Sequence, residues 1–240
     1  MSTKSDCGDA AANGTGAAPV IAIDGPSGAG KGTVSRAVAR ALGWSLLDSG
    51  ALYRLVALAG RSAGIDLADD ARLATLAAGL DIRFGETESG QEAVWLAGRE
   101  VSGAIRTEQA GNDASKVAAL PGVRQALLGR QRRFAVPPGL VADGRDMGSV
   151  VFPHAALKIF QTASAAERAA RRHKQLKEQG VTANLAALSQ EIAERDRRDR
   201  TRAVSPLVAS ADAVLIDTTA MPVGTVIERI LAIARERLKI

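Results

Sequence analysis

Lys31 lies in the run Gly25-Pro26-Ser27-Gly28-Ala29-Gly30-Lys31-Gly32-Thr33. The apolar, mostly β-branched segment Val20-Ile21-Ala22-Ile23 precedes it, and a helical run from Thr33 to Leu42 follows. Strand, glycine-rich loop and helix in that order are the setting of a phosphate-binding loop (P-loop). Glycines let backbone N–H groups turn inward around phosphate oxygens. The lysine adds a point charge, and the helix start adds a partial positive charge. This chemistry suits a nucleoside triphosphate or a close relative. The usual hydroxyl after the lysine, a Mg²⁺ ligand, is replaced by Gly32, and a hydroxyl comes only at Thr33. Mg²⁺ is therefore expected to travel with ATP on phosphate oxygens and water, and no protein metal ligand is assigned.

Arginines and carboxylates supply the second set of candidates. Arg195, Asp199 and Arg202 fall at i, i+4 and i+7, on one face of a helix. That spacing lets Arg195 pair with Asp199 while Arg202 steadies the carboxylate; an exposed ion-pair ladder gives the same pattern. Phosphoryl transfer uses arginines around the transferring group. Arg54, after Tyr53, and Arg145 would flank the loop, and their forked donors match phosphate geometry. The two histidines, His154 and His173, lie near none of these segments. A hydroxyl acceptor would need a base, for which Asp48, Asp143 and Asp146 are candidates. A phosphate acceptor is mostly dianionic at pH 7 and needs only positioning and charge stabilisation.

The elements that must position these groups alternate. Strands are expected at Trp44–Leu47, Leu140–Asp143, Leu157–Phe160 and Ala213–Ile216. Helices are expected at Ala51–Ala59, Asn112–Leu120, Val123–Phe134, Ala165–Gln179, Leu185–Arg200 and Val223–Leu238. Gly43 reads as a helix cap. This pattern predicts an α/β fold: a P-loop parallel β-sheet with helices on both faces. Ligands gather beyond the carboxyl ends of such strands. The P-loop, Asp48-Ser49-Gly50 and Asp143-Gly144-Arg145-Asp146 should therefore converge on one cleft. Leu80–Phe84 and Ala93–Val101, joined by the polar turn Gly85–Gln91, read as a hairpin at the heart of a small β-rich insertion, about 61–105.

Composition narrows the classes. The 240 residues suffice for one well-packed domain with an insertion, and 46% are apolar. No apolar run reaches the length of a membrane span. Residues 1–18 lack the basic and apolar regions of a secretory signal and read as a disordered tail. Cys7, the single cysteine, lies there, so no internal disulfide forms. These features favour the cytoplasm and no membrane partner; they do not bear on oligomeric state, for which a monomer is the expectation. Net charge is +5. Between Glu167 and Arg202 ten basic residues face six acidic ones, so most of the excess sits in that stretch. Aromatic residues are only 3%, which leaves few stacking platforms and argues against nucleic acid as the partner. Asn-Lys-x-Asp and Asp-x-x-Gly motifs are absent, which argues against a guanine-nucleotide switch.

The P-loop and Leu47-Asp48-Ser49-Gly50-Ala51-Leu52-Tyr53-Arg54 resemble the bacterial cytidylate kinase family. So do Val101–Thr107, the run Ala142-Asp143-Gly144-Arg145-Asp146-Met147-Gly148 through Pro153, and Glu194–Arg202. The resemblance runs from about Pro19 to the C-terminus. It implies a nucleoside monophosphate kinase domain over 19–240, with a monophosphate-binding insertion and a helical lid at about 167–183. The implied reaction is phosphoryl transfer from ATP to CMP or dCMP. The resemblance implies that Gly25 to Thr33, with Arg171 and Arg172 of the lid, bind ATP. By the same match Ser115, Arg124 and Asp146 would contact cytosine, Arg54 and Arg145 the acceptor phosphate, and Ser49 and Tyr53 would also line the CMP site. Asp199, with Arg195 and Arg202, would hold the sugar. Lys31, Arg145, Asp146, Arg195, Asp199 and Arg202 form the implied catalytic set. A P-loop kinase of another monophosphate or of a small metabolite is the alternative.

Overall fold

The computed structural model describes residues 18–87, 92–178 and 180–240. The expected N-terminal tail, except Ala18, the tip of the Gly85–Gln91 turn and Gln179 lie outside them. β1 (Val20–Asp24) is buried along its whole length, as its continuous apolar run requires. It lies at the centre of a five-stranded parallel sheet of order β2-β6-β1-β7-β8, with β2 Ser45–Asp48, β6 Leu140–Gly144, β7 Leu157–Thr162 and β8 Val214–Asp217. Successive side chains alternate between the two faces. Val20 and Ala22 join a core with Leu140 and Ala142, while Ile21 and Ile23 join a second core with Val141, Leu157 and Ile159.

Helices cover both faces. α1 (Lys31–Leu42) and α8 (Val223–Leu238) supply Val34, Val38, Val226 and Ile230 to the second core. α2 (Ser49–Ser62), α4 (Glu108–Val117) and α5 (Pro121–Arg132) cover the first. α3 (Asp70–Gly79) packs on α5 and was not expected from the sequence. Its pattern is faint because only Leu73 and Ala77 are buried. α6 (Ala165–Glu178) and α7 (Leu185–Thr201) pack on each other.

Other differences have local causes. The small antiparallel sheet has three strands, β3 (Ile82–Glu86), β4 (Glu92–Leu96) and β5 (Arg99–Glu100), where two were expected. Ala97 and Gly98, at φ 48° and 75°, turn the chain inside the expected second strand. α4 begins four residues early because the Thr107 hydroxyl accepts from Ala110 N at 3.1 Å. α5 begins at Pro121, which suits a first helical position.

Candidate active site

The P-loop hangs between β1 and α1, and two of its glycines are required by space or by backbone conformation. A Cβ on Gly25 would lie 1.9 Å from the Gln161 carbonyl oxygen of β7. Gly30 caps α1 at φ 88°, a left-handed conformation. Lys31 is buried, and its Nζ donates to Pro26 O at 2.9 Å with Asp143 Oδ1 at 3.8 Å. Burial, then the Arg145 guanidinium, push the Lys31 ammonium below its usual range. Burial lifts the Asp143 carboxyl despite the opposing pull of Lys31. The site thus concentrates positive charge that an anion would relieve.

The three strand-end segments line one cavity of about 300 Å³. Ser27, Gly28, Gly30 and Lys31 to Thr33 form its P-loop wall, Ser49, Tyr53 and Arg54 its α2 wall, and Asp143 to Asp146 the wall from β6. Ser115 reaches in from α4, Arg124 from α5, and Arg195, Asp199 and Arg202 from α7 and its end. Gly25, Pro26 and Ala29 support the loop from outside this cavity.

One end of the cavity carries a donor beside an acceptor. Arg124 pairs with Asp146, both buried, while its Nη1 donates to Ala118 O at 3.0 Å. Tyr53 lies under the Arg124 guanidinium, 5.6 Å from ring centre to Cζ. Arg202 Nη2 comes within 3.9 Å of the other Asp146 oxygen and makes no hydrogen bond. The turn carrying Asp146 is fixed by Asp24, whose oxygens accept from Met147 N and Gly148 N, both at 2.8 Å. Burial lifts the Asp24 carboxyl to about 6, against the pull of those two amides. The first turn of α5 is fixed by Asp70, which accepts from Gly122 N at 2.9 Å and Val123 N at 3.0 Å. It supplies the cap that Leu120 lacks.

The other end is cationic. Arg54 is anchored by Nη1 to Ile105 O at 2.6 Å. The expected pairing of Arg195 with Asp199 is replaced. Arg145 Nε, from the end of β6, donates to Asp199 Oδ2 at 3.0 Å, and Ser115 Oγ lies 3.4 Å from Oδ1. Burial works against the Arg145 charge, but Asp199 and then Asp143 more than compensate. Burial would raise Asp199, and Arg145 and Arg195 overcome it, leaving the carboxyl below its usual range. Arg195 Nε is buried with no hydrogen-bond partner. Burial, then Arg145, push Arg195 down to about 10. Arg202 lies just past α7 in an extended conformation, so the helical i+7 spacing does not govern it.

The basic residues of α6 are engaged elsewhere. Arg168, three and four residues before the two arginines expected over ATP, is buried against Asp196 and donates to Ser27 O at 2.9 Å. Arg171 holds Glu167 and the Thr218 carbonyl, behind the P-loop. Arg172 pairs with Glu108 in an adjoining cleft. Asp48, a candidate base, caps α2 by accepting from Ala51 N at 3.1 Å. His154 is exposed, and neither it nor His173 lines the cavity. Sequence reading missed Asp24, Asp70, Asp196 and Gln161. Asp24 alone left a signal, as an acid closing an apolar strand just before the loop.

Among the described residues no group of three or more His, Cys, Asp or Glu side chains is arranged to hold a metal ion. Among the oxygens lining the cavity, the Thr33 hydroxyl ends the P-loop run and the Asp143 carboxylate lies beside Lys31, hard donors of the type Mg²⁺ takes. No helix among them is long and apolar enough to cross a membrane.

Residues 21–236 match the family model described as Cytidylate kinase. The chain is 57% identical over 214 residues to a cytidylate kinase of Azotobacter vinelandii, covering 89% of this chain and 93% of that protein. It is 57% identical over 222 residues to that of Klebsiella pneumoniae (92% and 97%), and 58% over 218 residues to that of Pseudomonas aeruginosa (90% and 95%). A gluconokinase from Sinorhizobium meliloti aligns over 92% of this chain and 94% of its own, at 18% identity and TM-score 0.46. With the family model spanning nearly the whole of the described fold, the chain belongs to the cytidylate kinase family.

Proposed function

We propose that this protein transfers the γ-phosphoryl group of ATP to the phosphate of CMP or dCMP, giving ADP and CDP or dCDP. The observation that carries the reading is the cavity's two-ended design. A donor–acceptor pair, Arg124 and Asp146, sits at one end, and Arg54, Arg145, Arg195 and Lys31 gather at the other. Cytosine offers an amino donor at N4 and acceptors at N3 and O2. Asp146 accepts from the amino group and would repel the carbonyl oxygen of uracil at the same place. Arg124 donates to the acceptor edge, with the Ser115 hydroxyl beside it.

The acceptor phosphate lies between Arg54 and Arg145, and Asp199, with Arg195 and Arg202, holds the sugar. ATP lies on the P-loop with Lys31 at its phosphates. Thr33 and Asp143 would hold the Mg²⁺ carried by ATP, which would supply charge neutralisation at the phosphate oxygens. The acceptor oxygen is already ionised, so no general base is required. Catalysis is alignment plus cationic stabilisation of the equatorial oxygens. We further propose that the insertion at about 61–105 belongs to the monophosphate-binding part and that α6, with Arg171 and Arg172, closes over ATP and excludes water. ³¹P NMR of MgATP with CMP tests the reading: ADP and CDP should form in equal amounts. Release of inorganic phosphate without CDP would overturn it.

A further inference from the structure

Gln161 touches the P-loop twice. Its backbone oxygen fills the place where a side chain on Gly25 would be, 1.9 Å from that Cβ position. Its side-chain Nε2 donates to Ala29 O at 2.5 Å. The residue is 1% exposed, and its Oε1 is buried without a hydrogen-bond partner. Leaving a buried amide oxygen unsatisfied carries the desolvation cost of that group with no hydrogen bond to offset it. A leucine would fill the same volume without that cost, so the stability of β7 does not explain the amide.

The Ala29 carbonyl shares a planar, trans peptide with the Gly30 N–H, so the two groups point in opposite directions. A donor that pulls Ala29 O away from the cavity therefore turns Gly30 N–H toward it. Gly30 is also the α1 cap at φ 88°, where a peptide flip meets little steric resistance. Thr218 Oγ1 stands near the same carbonyl at 3.4 Å, but it also reaches Thr162 O at 3.0 Å. One hydroxyl proton cannot serve both, so Gln161 is the dedicated donor.

We propose that Gln161 is a positioning residue for ATP: it locks the Ala29–Gly30 peptide so that Gly30 N–H faces the triphosphate. The inference rests on the reading that ATP occupies the P-loop. It acts on ATP alone, because Gln161 does not line the cavity that Arg124 and Asp146 line. Gln161→Leu keeps the volume and removes the donor. Calorimetric titration with a non-hydrolysable ATP analogue should show binding about tenfold weaker than wild type. KM for ATP should rise with it, while KM for CMP and the unfolding midpoint stay nearly unchanged. Unchanged analogue affinity, or a parallel rise in both KM values, overturns the proposal. Gln161→Met repeats the test with a flexible side chain should the leucine variant fail to fold. Wild-type protein that binds no analogue at all would overturn the ATP reading itself, a separate result.

Discussion

Arg145 and Asp199 meet across the cavity, Nε to Oδ2 at 3.0 Å, joining the end of β6 to α7. Both are buried or nearly so, and each holds the other charged against burial. Asp199→Asn keeps the shape and removes the charge that aims Arg145. We expect kcat/KM for CMP to fall at least about tenfold, with KM for ATP little changed, since truncating a buried pair costs several kcal/mol. Steady-state kinetics with each substrate varied in turn checks this. A loss confined to ATP would mean that Arg145 serves the donor side.

Asp146 and Arg54 should fail in different ways. Asp146→Ala removes the acceptor that distinguishes cytosine from uracil, so the CMP to UMP ratio of kcat/KM should collapse by about tenfold or more. Arg54→Ala should lower use of both in proportion, because its partner is phosphate. An unchanged CMP to UMP ratio in Asp146→Ala would remove the base assignment.

Arg168 answers to stability before catalysis. Its Nη1 and Nη2 lie 3.0 and 2.5 Å from the two oxygens of Asp196, joining α6 to α7. Arg168→Ala leaves Asp196 buried without a counter-charge and should cost about 3–5 kcal/mol in urea unfolding. A change below about 1 kcal/mol would show that α6 is held by other contacts. The outer face of α6 is the part expected to move. Hydrogen exchange in Ala165–Glu178 should slow when CMP and an ATP analogue are both bound, and unchanged exchange would count against closure.

Asp24 predicts a pH dependence. Burial raises its carboxyl from 3.8 to about 6. Across that window the folded chain holds this proton more tightly than the unfolded chain, so the group's contribution to stability falls as pH rises. The ionised form is the one that accepts both Met147 N and Gly148 N, and these amides fix the turn bearing Asp146. CMP turnover should therefore decline as pH drops through about 6. In Asp24→Asn the stability slope should flatten, with the difference from wild type changing by about 1–3 kcal/mol across the window. Parallel stability–pH curves for the two proteins would refute the assignment.

The sheet and the cavity walls were legible because their signals are local. Val20–Ile23 is an unbroken apolar run before glycines, and α8 occupies the expected Val223–Leu238. The strand-end rule then brings Ser49, Arg54, Arg145 and Asp146 to one place. Pairing was less legible. Helical spacing says that Arg195 can reach Asp199, but it cannot show that Arg145, 54 residues away in sequence, gets there first. Supports that act across the fold left no pattern at all. Asp70 caps a helix 52 residues distant, and Gln161 reaches Ala29 from another strand. α3 escaped because two buried residues in ten give too weak a stripe.

The most direct measurement is ADP release from MgATP with CMP, dCMP, UMP, AMP, GMP and shikimate in parallel. Fast turnover confined to CMP and dCMP is the result expected from a cavity that reads cytosine with Asp146 and Arg124 and phosphate with Arg54 and Arg145. Equal rates with UMP would keep the phosphate site and contradict the base-reading pair. Turnover with shikimate and none with any monophosphate would contradict the account.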